Sequence, residues 1–432
     1  MTQVSKLLLI AASALLSACA TAGPINISCP GFDDPNPKLA FRKRLPPTRL
    51  ERQIKGETVI APLRPAPPDK NNPLQAAFEE AMLLASTKGV APGETLNFIL
   101  LSGGGQWGAF GAGFFSTLQD THGPNRIPRI DAVTGVSTGA LQALFLAVDK
   151  PHYYGRLLSA YSPKTESEIV DRHPQPQAAV RGSIAGLKPL RARIEHRLCE
   201  GEGNCLVEEL KTLQIPVLIG FIEAESGDFY FVDAVKLARI EDRPTAIQCL
   251  TGAALASAAM PVFFQQIRIN DKTYYDGGVR QSVFAASVAE ATASATFARR
   301  TRFGPEAKPI HLFAVRNGPT TVRPDAKPNA AADALANALR AEAIVVNQLE
   351  VGSIAALRLE YPTGPISVVT ADRWNLAPQN GQPGGQCEKP DKVMFHPPFM
   401  KCLRHFGAAK AAVKKPWIEL DSLTSLAGAP GP

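Results

Sequence analysis

Apolar residues near the middle of the chain form short runs separated by stretches of helical periodicity. The run Asn97–Leu101 is apolar after its first residue and leads into glycines, which is typical of a buried parallel strand. Helical periodicity follows over 108–119, a second apolar run covers 130–136, and a second helical stretch covers 138–148. Strand, helix, strand and helix in this order predict an α/β layer fold.

Apolar runs continue towards the C-terminus. Two pairs of runs are joined by residues that favour tight turns, Ser226 with Gly227 and Asn270 with Asp271. Further predicted elements are the strands 215–221, 228–232, 310–315 and 366–369, a hairpin within 267–275, and the helices 74–86 and 330–359.

The N-terminal residues have the composition of an export signal. Lys6 supplies a positive charge, and residues 7–16 are almost wholly apolar but too few to span a bilayer. The small residues before Cys19 and the cysteine itself resemble the lipobox of bacterial lipoproteins. The resemblance implies a lipidated Cys19 that anchors the exported protein in a membrane, and Ala20 favours the outer membrane. Ordinary secretion with a chance cysteine is the alternative.

Composition divides the chain into successive parts. Residues 19–73 are rich in Pro, Lys and Arg, so we predict an extended tether and surface arm there rather than a domain. The full division is a signal peptide at 1–18, the lipidated cysteine and arm at 19–73, a leading helix at 74–95, a main domain at 96–320, a helical and strand extension packed on it at 321–426, and a loose tail at 427–432.

The overall composition is that of a globular protein. Apolar residues make up 45% of the 432 residues and charged residues 20%, which is enough apolar material for a sizeable core and excludes a wholly disordered chain. The net charge of +7 is mild and no basic run concentrates it, so we expect no nucleic-acid partner.

Six cysteines remain when Cys19 is set aside. Cys199 and Cys205 flank a glycine-rich loop that can turn back on itself, which makes them the first candidate disulfide. Cys387 and Cys402 are a second candidate pair, although six cysteines allow 15 sets of pairings and sequence alone does not choose among them. No cysteine or histidine spacing indicates zinc, and we expect neither a metal nor a cofactor.

The segment from Gly135 to Gly139 has the pattern Gly-x-Ser-x-Gly where a predicted strand runs into a predicted helix. This is the setting of a nucleophile elbow, in which a tight turn exposes the serine and leaves no room for side chains two positions away on either side. The helix N-terminus also favours negative charge near the hydroxyl. Ser137 is therefore the candidate nucleophile.

Two glycine motifs flank the elbow in sequence. Gly103, Gly104 and Gly105 follow the first buried strand and expose backbone N–H groups that can hold an oxyanion. A nucleotide-binding loop is less consistent with the sequence, because no lysine follows Gly108 and no acidic residue stands where a dinucleotide site needs one. Asp276 ends a later strand before two glycines, where its carboxylate can take a proton from Ser137.

A strand followed by GGGxxG, then GxSTG, then DGG, resembles the patatin-like phospholipase family over about residues 96–282. Further matches are the helix start 108–113 and the stretch 256–264. The resemblance implies a three-layer α/β/α fold with a mainly parallel sheet, and it makes 96–320 the catalytic domain. It also implies a serine acyl hydrolase acting on lipid esters through a dyad of Ser137 and Asp276, with Gly103, Gly104 and Gly105 as the oxyanion hole.

The glycine loop departs from the family pattern at two positions. The family's loop begins with Asp and carries Arg or Lys before its last glycine, whereas this chain has Ser102 and Trp107. A basic side chain that can contact a substrate phosphate is therefore missing from the loop, and the sequence supports acyl-ester hydrolysis more firmly than phospholipid hydrolysis.

Two alternatives stay open at this point. One is an esterase with a Ser-His-Asp triad, for which His396 is the best candidate because it precedes two prolines and is predicted to lie on a loop; His311 and His405 are less suitable. The other is a lipid-anchored binding or assembly protein that keeps the fold without turnover. Trp107, Phe110, Phe114, Phe115, Phe263 and Phe264 either line an acyl pocket or belong to the core.

Overall fold

A computed structural model describes residues 23–57, 72–87, 91, 93–120, 125–173, 183–281, 283–322, 334–390 and 393–422. The predicted signal peptide, Cys19 and the predicted tail lie outside the described residues.

The strands include all those that the apolar runs predict. In chain order they are β1 (Ile25–Ile27), β2 (Lys43–Arg44), β3 (Asn97–Leu101), β4 (Ala132–Val136), β5 (Asp171–Arg172), β6 (Ser183–Gly186), β7 (Val217–Glu223), β8 (Phe229–Asp233), β9 (Val262–Phe264), β10 (Ile267–Ile269), β11 (Lys272–Asp276), β12 (His311–Arg316), β13 (Ile366–Thr370) and β14 (Ile418–Glu419).

The helices surround this set of strands. They are α1 (Arg49–Ile54), α2 (Pro73–Thr87), α3 (Gly108–Leu118), α4 (Thr138–Leu146), α5 (Pro151–Ala160), α6 (Lys188–Leu198), α7 (Leu206–Thr212), α8 (Ala234–Ala238), α9 (Arg243–Ala258), α10 (Ala285–Phe303), α11 (Ala334–Glu360) and α12 (Pro397–Ala411). Three short 3₁₀ turns lie at Gly105–Trp107, Glu166–Glu168 and Gly277–Val279.

The main sheet has parallel strands at its centre and antiparallel pairs towards both edges. Its order is β1-β10-β11-β7-β4-β3-β12-β13-β14, with β8 paired to β7 and β2 paired to β8. Five neighbouring strands, β7, β4, β3, β12 and β13, are mutually parallel, whereas β11 and β8 run antiparallel to β7. This mainly parallel sheet with flanking helices is the α/β/α fold that the resemblance implies.

Both faces of the central sheet are covered, so its strands are buried throughout. In β3, Phe98 and Leu100 point into a core shared with α2, α10 and the end of α11, while Ile99 and Leu101 point into a core shared with α3, α4 and α9. Alternation to opposite faces explains why β3 appears in sequence as a continuous apolar run.

The N-terminal arm differs from the predicted extended tether. β1 adds a parallel strand to β10, and β2 pairs with β8, so the described part of the arm belongs to the main sheet. A disulfide between Cys29 and Cys249, which the sequence did not single out, joins the arm to α9. The sequence pattern did not predict these strands because the arm is rich in proline, which has no backbone N–H to donate. Proline is nevertheless tolerated at the edge of a sheet, where a strand needs few backbone N–H groups for pairing.

The other cysteines are also paired. Disulfides join Cys199 to Cys205 across the glycine-rich loop between α6 and α7, and Cys387 to Cys402 between the segment after β13 and α12. Both cysteines of the second pair lie in the C-terminal extension, so this disulfide joins two segments of the extension to each other.

Helices α9 and α10 were missed by the sequence pattern. Helix α9 is buried on most of its surface, and α10 is rich in alanine, so neither shows a clear apolar stripe. The C-terminal helix α12 contains His405 and begins directly after His396, which is its N-cap.

Candidate active site

Ser137 lies in a sharp turn between β4 and α4, at the carboxyl end of the central strands. Its φ of 55° is in the left-handed region, which a residue with a side chain adopts only when its surroundings enforce it. A Cβ added to Gly135 would overlap the carbonyl of Gly139, and one added to Gly139 would overlap the carbonyl of Leu101. The two glycines are therefore required by close backbone packing, as expected for an elbow.

Ser257, on α9, supports the elbow through hydrogen bonds. The backbone N–H of Ser137 donates a 2.8 Å hydrogen bond to the Oγ of Ser257, which in turn donates a 2.6 Å bond to the carbonyl of Gly220 in β7. Ser257 is fully buried. This bridge fixes the turn against the neighbouring strand, and because the N–H of Ser137 is occupied, it is not available to an oxyanion.

The glycine loop lies beside the nucleophile. A Cβ placed on Gly103 would be 3.2 Å from the Cβ of Ser137 and 3.8 Å from its Oγ, so the two backbones approach closely. Gly103, Gly104 and Gly105 all line the same cleft as Ser137 and Asp276. The structure therefore brings together every residue that the three motifs predicted.

Asn317, just after β12, holds the glycine loop in place. Its N–H donates to the Oγ of Ser102 at 2.8 Å, and its Nδ2 donates to the carbonyl of Ser102 at 2.9 Å and to Oε1 of Gln142 at 2.9 Å. The Oγ of Ser102 donates to the carbonyl of Gly103 at 2.7 Å. Ser102 is thus part of the loop's support, which gives a structural reason for this departure from the family pattern.

Asp276 ends β11 and faces the nucleophile. Its carboxyl interacts with the hydroxyl of Ser137, and the N–H of Gly278 donates to its Oδ1 at 2.7 Å. Asp276 is only 1% exposed. Burial raises the pKa of this carboxyl to about 7, although the Ser137 hydroxyl and the N–H of Gly278 both act to lower the pKa. The result is a stronger base than an exposed aspartate, with its titration close to neutral pH.

The cleft above these residues has a volume of about 1110 Å³. Its walls include basic and acidic side chains that the sequence motifs did not indicate, namely Arg172, Arg316, Arg340, Lys389, Glu342 and Glu350. Burial, together with repulsion from Asp276, raises the pKa of Glu342 to about 7. The cleft can therefore hold a polar part of a substrate.

A second, smaller cavity of about 90 Å³ begins at Ser137 on the other side of the elbow. Its lining is mostly apolar and includes Leu141, Leu144, Phe145, Leu190, Ile194 and Leu198. Apolar walls next to a nucleophile suit the hydrocarbon part of a substrate.

The aromatic residues near the motifs divide between the two expected roles. Trp107, Phe263 and Phe264 line the cleft, and Phe264 also borders the small cavity. Phe110, Phe114 and Phe115 are fully buried core residues. Trp107 is packed edge-on against Trp374 and Phe399, so it serves as part of the wall.

The histidines proposed for a triad are elsewhere. Within the part of the chain that the structure describes, His311, His396 and His405 do not line the cleft; Nε2 of His311 lies 2.7 Å from Ser367, and His396 caps α12. His173 does line the cleft, as does Asp276, whose carboxyl interacts with the hydroxyl of Ser137. The described residues contain no cluster of side chains suited to a metal ion, and no described helix has the length and apolarity to cross a membrane.

Three residues of the site escaped the sequence analysis. Ser257 lies within the stretch 256–264 that resembles the family, but nothing in that stretch marks its hydroxyl as a support for the elbow. Asn317 directly follows a predicted strand, and polar residues at the carboxyl ends of parallel strands often line a binding site. Its position in the sequence could therefore have identified it. Glu350 sits in the middle of a long helix, and its place in the cleft depends on how that helix packs.

Comparison with known proteins agrees with this geometry. Residues 99–289 match the family described as Patatin-like phospholipase. This stretch contains the glycine loop, Ser137 and Asp276. No curated protein matches the chain with significant similarity.

Proposed function

Since residues 99–289 form a patatin-like phospholipase domain, with the lipid acyl hydrolase activity that this family indicates, we propose that the protein cleaves carboxylic esters of lipids through Ser137 and Asp276. The observation that carries the proposal is that the side chains of Ser137 and Asp276 interact in a buried site beside the glycine loop. Lipase, esterase and phospholipase A reactions all share this chemistry.

The reaction begins when Oγ of Ser137 attacks the ester carbonyl carbon and Asp276 accepts its proton. The tetrahedral oxyanion lies against the backbone of Gly103, Gly104 and Gly105, whose N–H groups stabilise negative charge. Collapse breaks the bond to the alcohol, which leaves with the proton from Asp276. Water then attacks the acyl-enzyme by the same route and releases the fatty acid.

The two cavities receive different parts of the substrate. The apolar cavity of about 90 Å³ receives the acyl chain, and the cleft of about 1110 Å³ receives the alcohol part with its head group. The small cavity is much smaller than the cleft, so it favours short acyl chains or the first part of a longer one.

Labelling with a fluorophosphonate probe tests the nucleophile directly. Wild-type protein should become labelled and hydrolyse p-nitrophenyl butyrate, and Ser137→Ala should abolish both. Ser226→Ala, which removes an exposed serine, serves as the matched control and should keep both. Folded wild-type protein that is neither labelled nor active would favour the binding-protein alternative.

We further propose that lipid on Cys19 holds the cleft near a membrane. Gly23, four residues later, accepts a hydrogen bond from the side chain of Gln265, which follows the cleft residue Phe264. Four residues span at most about 14 Å, so the anchor would lie close to the cleft mouth. Cys19→Ser should release the protein from membranes; unchanged membrane association in that variant would contradict lipid anchoring.

A further inference from the structure

A buried ion pair lies next to Ser137. Arg316, at the end of β12, is paired with Glu350 of α11, and both side chains are about 5% exposed or less. The Oε1 of Glu350 lies 3.3 Å from the point where a Cβ on Gly103 would stand, and the Cβ of Ser137 lies 3.2 Å from that same point. The carboxylate of Glu350 and the side chain of Ser137 therefore both lie beside Gly103.

Other contacts keep Arg316 in this position. Its Nη2 donates to Oδ1 of Asn347 at 3.0 Å and to the carbonyl of Pro319 at 3.3 Å. Asp372 also attracts it, but that carboxylate accepts hydrogen bonds from Thr320 and does not line the cleft. Glu350 is thus the acidic partner that faces the substrate space.

The Arg316–Glu350 pair bears on the basic residue that the glycine loop lacks. The sequence has Trp107 where the family carries a basic residue, yet the fold brings Arg316 into the same cleft from a different strand. Glu350 cancels its charge, since paired opposite charges present little net charge to a third group nearby. A phosphate close to the scissile ester would be repelled by Glu350 about as strongly as Arg316 attracts it.

We propose that Glu350 is a specificity-determining residue that, by neutralising Arg316 beside Ser137, makes the site prefer uncharged acylglycerol-type esters over phospholipids. The inference rests on the proposed acyl hydrolase function and names its substrate class. Arg172, Arg340 and Lys389 also line the cleft, so the test compares variants instead of depending on the total charge of the cleft.

The experiment measures kcat/KM for dihexanoylglycerol and for dihexanoylphosphatidylglycerol, which share their acyl chains, as monomers at about pH 8.5, where Asp276 is ionised. Wild type should prefer dihexanoylglycerol. Glu350→Gln should raise the ratio of phospholipid to neutral-ester kcat/KM about tenfold, because Arg316 gains an unbalanced charge. The double variant Glu350→Gln with Arg316→Gln should return the ratio to near the wild-type value.

Glu342→Gln is the matched control, since it removes the same charge from the same helix and cleft without freeing Arg316. Its ratio should stay near that of wild type. An equal rise in Glu342→Gln, an unchanged ratio in Glu350→Gln, or an equal loss of both activities would overturn the inference.

Folding and function are checked separately. Thermal unfolding and fluorophosphonate labelling show whether each variant keeps its elbow. Should Glu350→Gln fail to fold, the wild-type preference decides, and a preference for the phospholipid contradicts the inference. Wild-type protein that is neither labelled nor active on either ester would contradict the proposed function itself, whereas activity with unaltered ratios contradicts only the role of Glu350.

Discussion

Two spaces meet at Ser137, and they differ in size and chemistry. The outer cleft, of about 1110 Å³, carries acidic and basic side chains, while the inner cavity, of about 90 Å³, is walled mostly by aliphatic residues from α4 and α6. A lipid ester has the same two-sided character, with a polar alcohol part and an apolar acyl part. The nucleophile lies where the two spaces join, which is where the ester carbonyl must be held.

The two spaces are also built differently. The lining of the inner cavity lies mostly on α4 and α6, within residues 99–289, and the C-terminal extension adds Phe395 and Met400. The outer cleft combines the glycine loop with α11, the loop after β12 and the segment before α12, and the last three follow that stretch. Most of the apolar wall therefore belongs to the matched stretch, and the extension contributes mainly to the polar cleft.

The largest effect should come from the base at the junction. Asp276→Asn keeps the side-chain shape but cannot accept the serine proton, so kcat/KM for p-nitrophenyl butyrate should fall by about 10²- to 10⁴-fold. Asp271→Asn, an exposed change in the same hairpin, is the control and should leave the rate unaltered. Replacing His173, His311, His396 and His405 singly should not match the loss; if one did, a triad would be indicated.

The next effect is the dependence on pH. Asp276 must be ionised to act as base, and its raised pKa of about 7 means that activity is lost as pH falls through that value. We expect kcat/KM at pH 5 to be about 100-fold below the plateau above pH 8. Glu342→Gln should move the midpoint to lower pH, because repulsion between the two carboxylates is reciprocal. A midpoint near pH 4 in wild type would contradict the buried base.

A moderate effect is expected from the support behind the elbow. Ser257→Ala leaves the N–H of Ser137 and the carbonyl of Gly220 without this bridge, at a cost of about 1–3 kcal/mol, and kcat should fall about tenfold or more with little change in KM. Ser287→Ala is the control: its buried Oγ has no hydrogen-bond partner among the described residues. Equal kcat values for the two variants would show that the bridge does not position the nucleophile.

The smallest effect should be a change in chain-length preference at the inner cavity. Ile194→Ala enlarges the cavity, so the ratio of kcat/KM for p-nitrophenyl octanoate to that for the butyrate should rise about fivefold. This corresponds to about 1 kcal/mol, the lower end of the value of one methylene group in an apolar pocket. Ile222→Ala, a similarly buried change outside this cavity, should keep the wild-type ratio. A similar shift in both variants would mean that the cavity does not select the acyl chain.

The difference between local and long-range signals explains what sequence analysis found and missed. β3 with its glycines, β4 with Ser137, and β11 with Asp276 are strand-end motifs whose geometry depends on neighbouring residues, and all three were identified. Helix α9 is buried on most sides and helix α10 is alanine-rich, so neither carried a periodic signal. The prolines of the arm suggested an extended tether and surface arm without regular structure, whereas its strand β1 pairs with β10 and a disulfide joins it to α9.

The sequence by itself was enough to predict Ser137 as nucleophile, Asp276 as base and the glycine loop, because each motif is specified by residues within a few positions of one another. Only the tertiary structure decided that Ser257 and Asn317 support them, since these contacts cross 120 and 215 positions of the chain. The charge beside Ser137 was decided in the same way. The end of β12 and the helix α11 bring Arg316 and Glu350 together, and no local sequence pattern predicts which buried charged side chains will form a pair.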